Sequence, residues 1–185
     1  MWHTRETAGH LDNALFDDIM GMGKDIVLSD RFAKAWEVPH HSKDGNIAVH
    51  SLKTAEYALV LARWLADHDV SVSERDVVRA SLLHDIGMTE DSVFLSPSYM
   101  KARSHPREGA RIARDEFGAN DTQVEAILFH MWPVCCVIPP RSAEGWTVSI
   151  ADKRCSVHEV GEMSGDVVAR VGRWMLDHLS LSRNN

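Results

Sequence analysis

Cysteine is scarce in this chain of 185 residues: Cys135, Cys136 and Cys155 are the whole supply. Two of them are adjacent, the number is odd and no C-x-x-C pair occurs, which argues against both a disulfide framework and a zinc ribbon. Reduced thiols fit a cytosolic setting, so the expected location is cytoplasmic. An excess of positive charge is also missing. Lys and Arg total 20 against 27 Asp and Glu, a formal net charge of −7, whereas non-specific nucleic-acid binding needs a basic face. Long apolar runs are absent too. The best, YALVLARWLA, is broken by Arg63 and falls short of the roughly 18 apolar residues that a membrane helix requires. The opening MWHTRETAGHLDN has no apolar segment of the secretory-leader type. There is no internal repeat, no low-complexity tract and almost no strand-like alternation.

What remains is helical periodicity nearly throughout. Leu11, Leu15, Ile19 and Met20 have the spacing of a first helix that stops near Gly21 and Gly23. A second covers about Ser29 to Glu37, ahead of Pro39, and the polar string HHSKDGN at His40–Asn46 reads as a solvated turn. A long helix follows from about Ile47 to His68. Ser73 suits an N-cap, with Asp76 three residues later in a capping-box arrangement, for a helix that runs to Ile86 and ends at Gly87. Ser96-Pro97-Ser98 reads as a loop, and Pro106 as the first turn of a helix to Phe117. Asp121 caps a helix from about Thr122 to Met131, Trp146 to about Glu162 forms another, and a last one spans roughly Asp166 to Leu179. The expected fold is a compact all-α single-domain bundle, in which the helices of residues 1–46 pack on a core formed by residues 47–185.

The chemistry-bearing residues come in one order: His50, the adjacent pair His84-Asp85, His105, His130 and Asp152. Four imidazoles and two carboxylates at helix-length intervals can converge as nitrogen and oxygen ligands of divalent metal. Adjacent residues on a helix diverge by about 100°, so His84 and Asp85 cannot act as an i, i+4 ligand pair. At the end of a helix they can flank one ion while Asp85 reaches a second through its other oxygen. His50, His84, Asp85 and Asp152 then form one set. His105 and His130 add a second ion that shares Asp85, and two ions roughly 3.5–4 Å apart can hold a hydroxide and polarise a phosphoryl group. One or two divalent ions per chain are expected. Iron or manganese suits the histidine-rich set best, although these ligands also admit cobalt, nickel and zinc.

The order H…HD…H…H…D, with the literal string HDIG, resembles the HD superfamily of metal-dependent phosphohydrolases. HSLKTAEYA from His50, HPREGARIA at His105, ILFHMWP at His130 and IADKRC at Asp152 extend the resemblance over about Ile47 to Glu159. It implies that His50, His84, Asp85 and Asp152 are the core metal ligands. It also implies that His105 and His130 match the additional ligands of binuclear members, which include cyclic-dinucleotide phosphodiesterases, dinucleoside-tetraphosphate hydrolases and mixed-valent di-iron oxygenases. Met88 stands where the cyclic-di-GMP branch has a lysine, and Met131-Trp132-Pro133 follows His130 in place of its paired histidines and G-Y-P string, which argues against that substrate.

The expected activity is hydrolysis of phosphate esters or anhydrides of a nucleotide or related small metabolite, with His84, Asp85 and Lys53 as catalytic residues. Lys53 lies three residues after His50 and ranks first for holding a phosphate, and Arg141, in an inter-helix loop, ranks second. Lys101 and Arg103, in a loop before His105, and Lys153, next to Asp152, follow. His41 is a candidate general acid. No nucleic-acid or membrane partner is expected. The rival readings are a di-iron oxygenase on the same ligands and a non-catalytic nucleotide-binding module.

Overall fold

The computed structural model describes residues 13–40, 46–88, 98–134 and 136–160. Among these the chain is all-α, with seven helices: α1 (Asn13–Val27), α2 (Asp30–Ala35), α3 (Ile47–Ala66), α4 (Glu74–Leu83), α5 (Ser98–Phe117), α6 (Asp121–Phe129) and α7 (Ala143–Val160). The expected helix over Asp166–Leu179 lies outside the described residues, as do His41, Ser96 and Pro97.

α3 and α4 form the centre. α3 buries Ile47, Leu52, Leu59 and Leu65 together with Ala48, Ala55, Ala58 and Ala62. The alanines keep its surface low, so that α4 and α7 both pack closely against it. α4 also meets α1 and α6, and α6 lies between α5 and α7. Side-chain oxygens satisfy the first free amides of four helices, each at the residue before the first turn. Ser29 accepts from Phe32 N, Asn46 from Val49 N, Ser73 from Asp76 N and Asn120 from Gln123 N. The α6 cap is therefore Asn120 rather than Asp121, which is the first helical residue. The capping box at Ser73 is only half formed, since Asp76 does not return a bond to Ser73 N. Ser73 N donates to Glu144 Oε1 on α7 at 2.9 Å, and Asp76 instead accepts from Asn120 and Gln123. A local motif has been traded for contacts between helices.

Four boundaries differ from the sequence expectation by three residues or more, one of them the end of α4, which lies at Leu83 and not at Ile86. α1 passes through Gly21 and Gly23 to Val27, with only a kink at Gly23. A Cβ at Gly23 would come within 2.3 Å of Leu82 Cδ1, so the glycine serves close packing of α1 on α4 rather than termination. α5 starts at Ser98 and carries Pro106 inside, so Lys101 and Arg103 belong to a helix, not a loop. Backbone atoms of His105 and Gly109, on either side of Pro106, stand against Gly87 in the turn after α4. α7 starts at Ala143, where Ser142 Oγ accepts from Gly145 N.

Arg79 ties α1, α4 and α5 together. Its buried guanidinium donates to both carboxylate oxygens of Asp25, at 2.6 and 2.9 Å, and to Phe117 O at 3.0 Å. The hydrogen bonds from Arg79 hold the Asp25 carboxyl below its ordinary value of 3.8. Stability from this pair is fully present above that value and is lost as pH falls through the lower folded value. Asp25→Asn should therefore flatten the acid limb of a melting-temperature profile below pH 3.8, while an unchanged limb would dismiss the pair.

The turn after α4 supplies a second test. A Cβ on Gly87 would stand 2.5 Å from both Gly109 N and His105 O of α5, which are backbone atoms unable to yield cheaply. Gly87→Ala should destabilise the fold by about 1–3 kcal/mol, read by denaturant unfolding, and should displace α5 from the turn.

Candidate metal centre

Each candidate residue is delivered by a helix or a helix end. His84 and His130 occupy equivalent positions, immediately after the last residues of α4 and α6. Each donates its Nδ1 hydrogen to the carbonyl three residues back, Ser81 O and Ile127 O, both at 2.7 Å. A carbonyl only accepts, so the tautomer is fixed and both Nε2 atoms are left with lone pairs. Asp85 begins the turn that Gly87 presses onto α5, where His105 lies one turn before Gly109. His50 is in the first turn of α3 and Asp152 is midway along α7.

The six side chains meet in one buried cluster built around Asp85. Its Oδ1 lies 3.0 Å from His105 Nε2 and 3.5 Å from His130 Nε2. Its Oδ2 lies 3.4 Å from His84 Nε2 and 3.9 Å from His50 Nε2. Asp152 Oδ1 approaches His50 Nε2 at 3.2 Å and His84 Nε2 at 3.7 Å. The two oxygens of Asp85 thus face two different sets of imidazoles.

The donor chemistry fits a divalent metal. His84 Nε2 lies 3.3 Å from His50 Nε2, and His130 Nε2 lies 3.0 Å from His105 Nε2, with carboxylate oxygens at 3.4–3.7 Å, so several nitrogen and oxygen donors crowd points that a divalent cation could share. The donor atoms of His50, His84 and Asp152 all lie within 4.8 Å of one another, as do those of His84, Asp85 and His130. Ligands on one ion at roughly 2.0–2.2 Å can be no more than about 4.4 Å apart, so these triads need little adjustment to close on an ion. The electrostatics agree. Burial penalises charge on His84, yet the carboxylates of Asp85 and Asp152 raise its pKa above the ordinary 6.5. Burial also opposes ionisation of Asp85 and Asp152. Even so, positive charge on His84 and His105 holds Asp85 well below the usual carboxylate range, and Lys153 does the same for Asp152, with hydrogen bonds from His50 and His84. His130 is pushed down to about 4, by burial first and then by the charges of His84 and His105, which leaves it a neutral nitrogen donor at neutral pH. Two ionised, buried carboxylates concentrate a demand for positive charge at this point, which protonated imidazoles or a cation can meet.

Around the cluster, α7 presents Ser149, Asp152, Lys153 and Ser156 on one face. Lys153 Nζ donates to Asp152 Oδ2 at 3.0 Å and also to His130 O. Ser149 Oγ donates to His130 O at 2.7 Å, and Ser156 Oγ to Asp152 Oδ1 at 3.2 Å. Asp152 is thereby anchored through both oxygens, and Oδ1, which accepts from Ser156, is also the one that faces His50 and His84. The spacing i, i+3, i+4, i+7 of this polar stripe was readable in the sequence. Lys153, not Lys53, is the lysine in contact with the cluster. Lys53 is half-buried on α3 and makes no hydrogen bond or ion pair among the described residues.

Arg141 is exposed, with its guanidinium 6.0 Å over the Phe129 ring, and no contact joins it to the cluster. The side chains of Lys101 and Arg103 lie outside the described residues. His40 corrects the reading of HHSKDGN as a solvated turn: it is 5 % exposed, and its Nε2 lies 3.1 Å from Asp85 Oδ2. A cavity of about 340 Å³ opens onto Asp85, walled by α2, the turn over Ile86–Met88 and α5. Arg31 and Lys34 place positive charge on its α2 side, Glu37 and Glu108 negative charge nearby.

No curated protein and no solved structure matches the chain. The model of the HD domain family does match, over residues 47–156, more than half of the sequence and all six residues of the cluster. With His50, the His84-Asp85 pair and Asp152 gathered within one matched helical segment, the chain belongs to the HD domain family, whose members are mostly metal-dependent phosphohydrolases.

Proposed function

We propose that this protein hydrolyses phosphate esters or anhydrides of a small metabolite, a nucleotide or a related compound, with two divalent metal ions held by His50, His84, Asp85, His105, His130 and Asp152. The observation that carries the reading is the position of Asp85, whose two oxygens each face a separate set of imidazole nitrogens. When bound, such ions supply an activated water and neutralise charge that develops on the phosphoryl oxygens. Iron and manganese fit the donor set best.

The chain's own residues set the stage. Asp85 holds the two halves in register, and the hydrogen bonds of His84 and His130 to Ser81 O and Ile127 O keep their Nε2 atoms aimed inward. Lys153 fixes Asp152 and lies at the edge of the cluster, about one-third exposed, where it can meet an anion. The 340 Å³ cavity beside Asp85 is of ligand size, and Lys34 stands on its wall next to Arg31, whose guanidinium is paired with Glu116. These contacts favour Lys153 and Lys34 over Lys53 and Arg141 for holding the substrate.

The test is phosphate release from a panel of phosphomonoesters, cyclic diesters and nucleotide anhydrides, with manganese under argon. Asp85→Ala should lose bound metal and at least about a thousandfold in rate, several kcal/mol of transition-state stabilisation. A fully metallated and active Asp85→Ala protein would refute the assignment.

A second reading draws on the same bridging position of Asp85, which also suits a di-iron centre that consumes O₂. Oxygen uptake by the iron-loaded protein, with no phosphate released from the panel under argon, would decide for the oxygenase.

A further inference from the structure

The six residues above leave one buried imidazole unassigned. His40 is 5 % exposed, although the proline before it is exposed and the string around it is polar. The backbone explains why it turns inward. Pro39 pairs with Asn46 in an isolated antiparallel bridge, and Ile47 N donates to Val38 O at 3.1 Å. Asn46 in turn caps α3. His40 therefore leaves the chain at the closed base of a loop, directly beside the first turn of the helix that carries His50. Its ring lies against the His50 ring with centroids 3.9 Å apart and planes 31° apart. Its Nε2 is 3.1 Å from Asp85 Oδ2, closer to that oxygen than His84 or His50. The donor atoms of His40, His50 and Asp85 all lie within 4.8 Å of one another.

We propose that His40 is a further metal ligand on the Oδ2 side of Asp85. The inference rests on the reading of the cluster as a two-metal site. It makes the two halves unequal. His40, His50, His84, Asp152 and Asp85 Oδ2 give five protein donors on one side, against three from His105, His130 and Asp85 Oδ1 on the other. A six-coordinate ion, the preference of manganese with hard ligands, is nearly saturated by the first set and largely open within the second. The Oδ2 side is then the tight, structural position, and the His105–His130 side is where substrate oxygen and water bind.

The experiment is titration of the metal-free protein with Mn²⁺ against a competing chelator, together with electron spin-echo measurement of the histidine nitrogens coupled to the first ion bound. The wild type should bind two ions, one markedly tighter. His40→Ala should weaken the tight position at least about tenfold, leave the weak one unchanged and remove one histidine from the echo pattern. His40→Gln can keep a hydrogen bond to Asp85 but replaces the imidazole nitrogen with an amide oxygen, so whatever its affinity it should lose the same histidine from the echo pattern. Circular dichroism melting of the metal-free variants confirms that the fold persists, and the glutamine variant is the one to rely on if the alanine variant does not fold. Unchanged affinity and histidine count in a folded variant overturn the proposal. So does a folded His40→Gln that keeps the wild-type histidine count, which would make His40 a positioning residue for Asp85. A wild type that binds no divalent ion at all overturns the metal reading itself, and with it this one.

Discussion

A single carboxylate organises the centre of this molecule. Asp85 is buried, ionised and surrounded by five imidazoles from five separate stretches of chain, and it keeps its charge only because those nitrogens are where they are. Isolated burial of such a charge would be prohibitive, so the surrounding helices must arrive together and in register. The turn that carries it has no room for error: Gly87 lies against the backbone of Gly109 and His105, which ties the position of Asp85 to that of α5. The alanine-rich face of α3 does the same from the opposite side, because it lets α4 and α7 approach closely enough for His50, His84 and Asp152 to converge.

The two helix-terminal histidines show how a helical fold prepares a cation site at small expense. The last carbonyls of α4 and α6 have no amide partner further along the helix, and an imidazole placed just beyond each end satisfies one of them. That single hydrogen bond also selects the tautomer and turns the free nitrogen toward the cluster. Capping and site preparation are one event here, so the site is shaped whenever these helices end where they do.

The architecture and the six principal side chains were legible in the sequence because both are written in spacing. Helical periodicity needs only the chain itself, and the His84-Asp85 pair at a helix end announces its own geometry. His40 was not legible, since the polarity of HHSKDGN suggested solvation and only the Pro39–Asn46 bridge turns that residue inward. Lys53 was favoured over Lys153 on helical proximity to His50, which says nothing about what stands above that turn; the α7 stripe of Ser149, Asp152, Lys153 and Ser156 carried the better signal. No neighbour stands over Gly21 to account for its place in α1; Gly23 and Pro106 misled for a common reason. Their local preferences are worth roughly 1–3 kcal/mol, and tertiary contacts with α4 and its following turn outweigh that.

α7 grips both halves of the cluster at once. Asp152 reaches His50 and His84, while Lys153 and Ser149 hold the carbonyl of His130 at the end of α6. A cation held by either group would therefore pull on the same rod, and the seam between α6 and α7 would tighten as a unit. Occupancy at the centre becomes resistance to local opening some way from it, since whatever binds only the closed form stabilises every contact that closure requires.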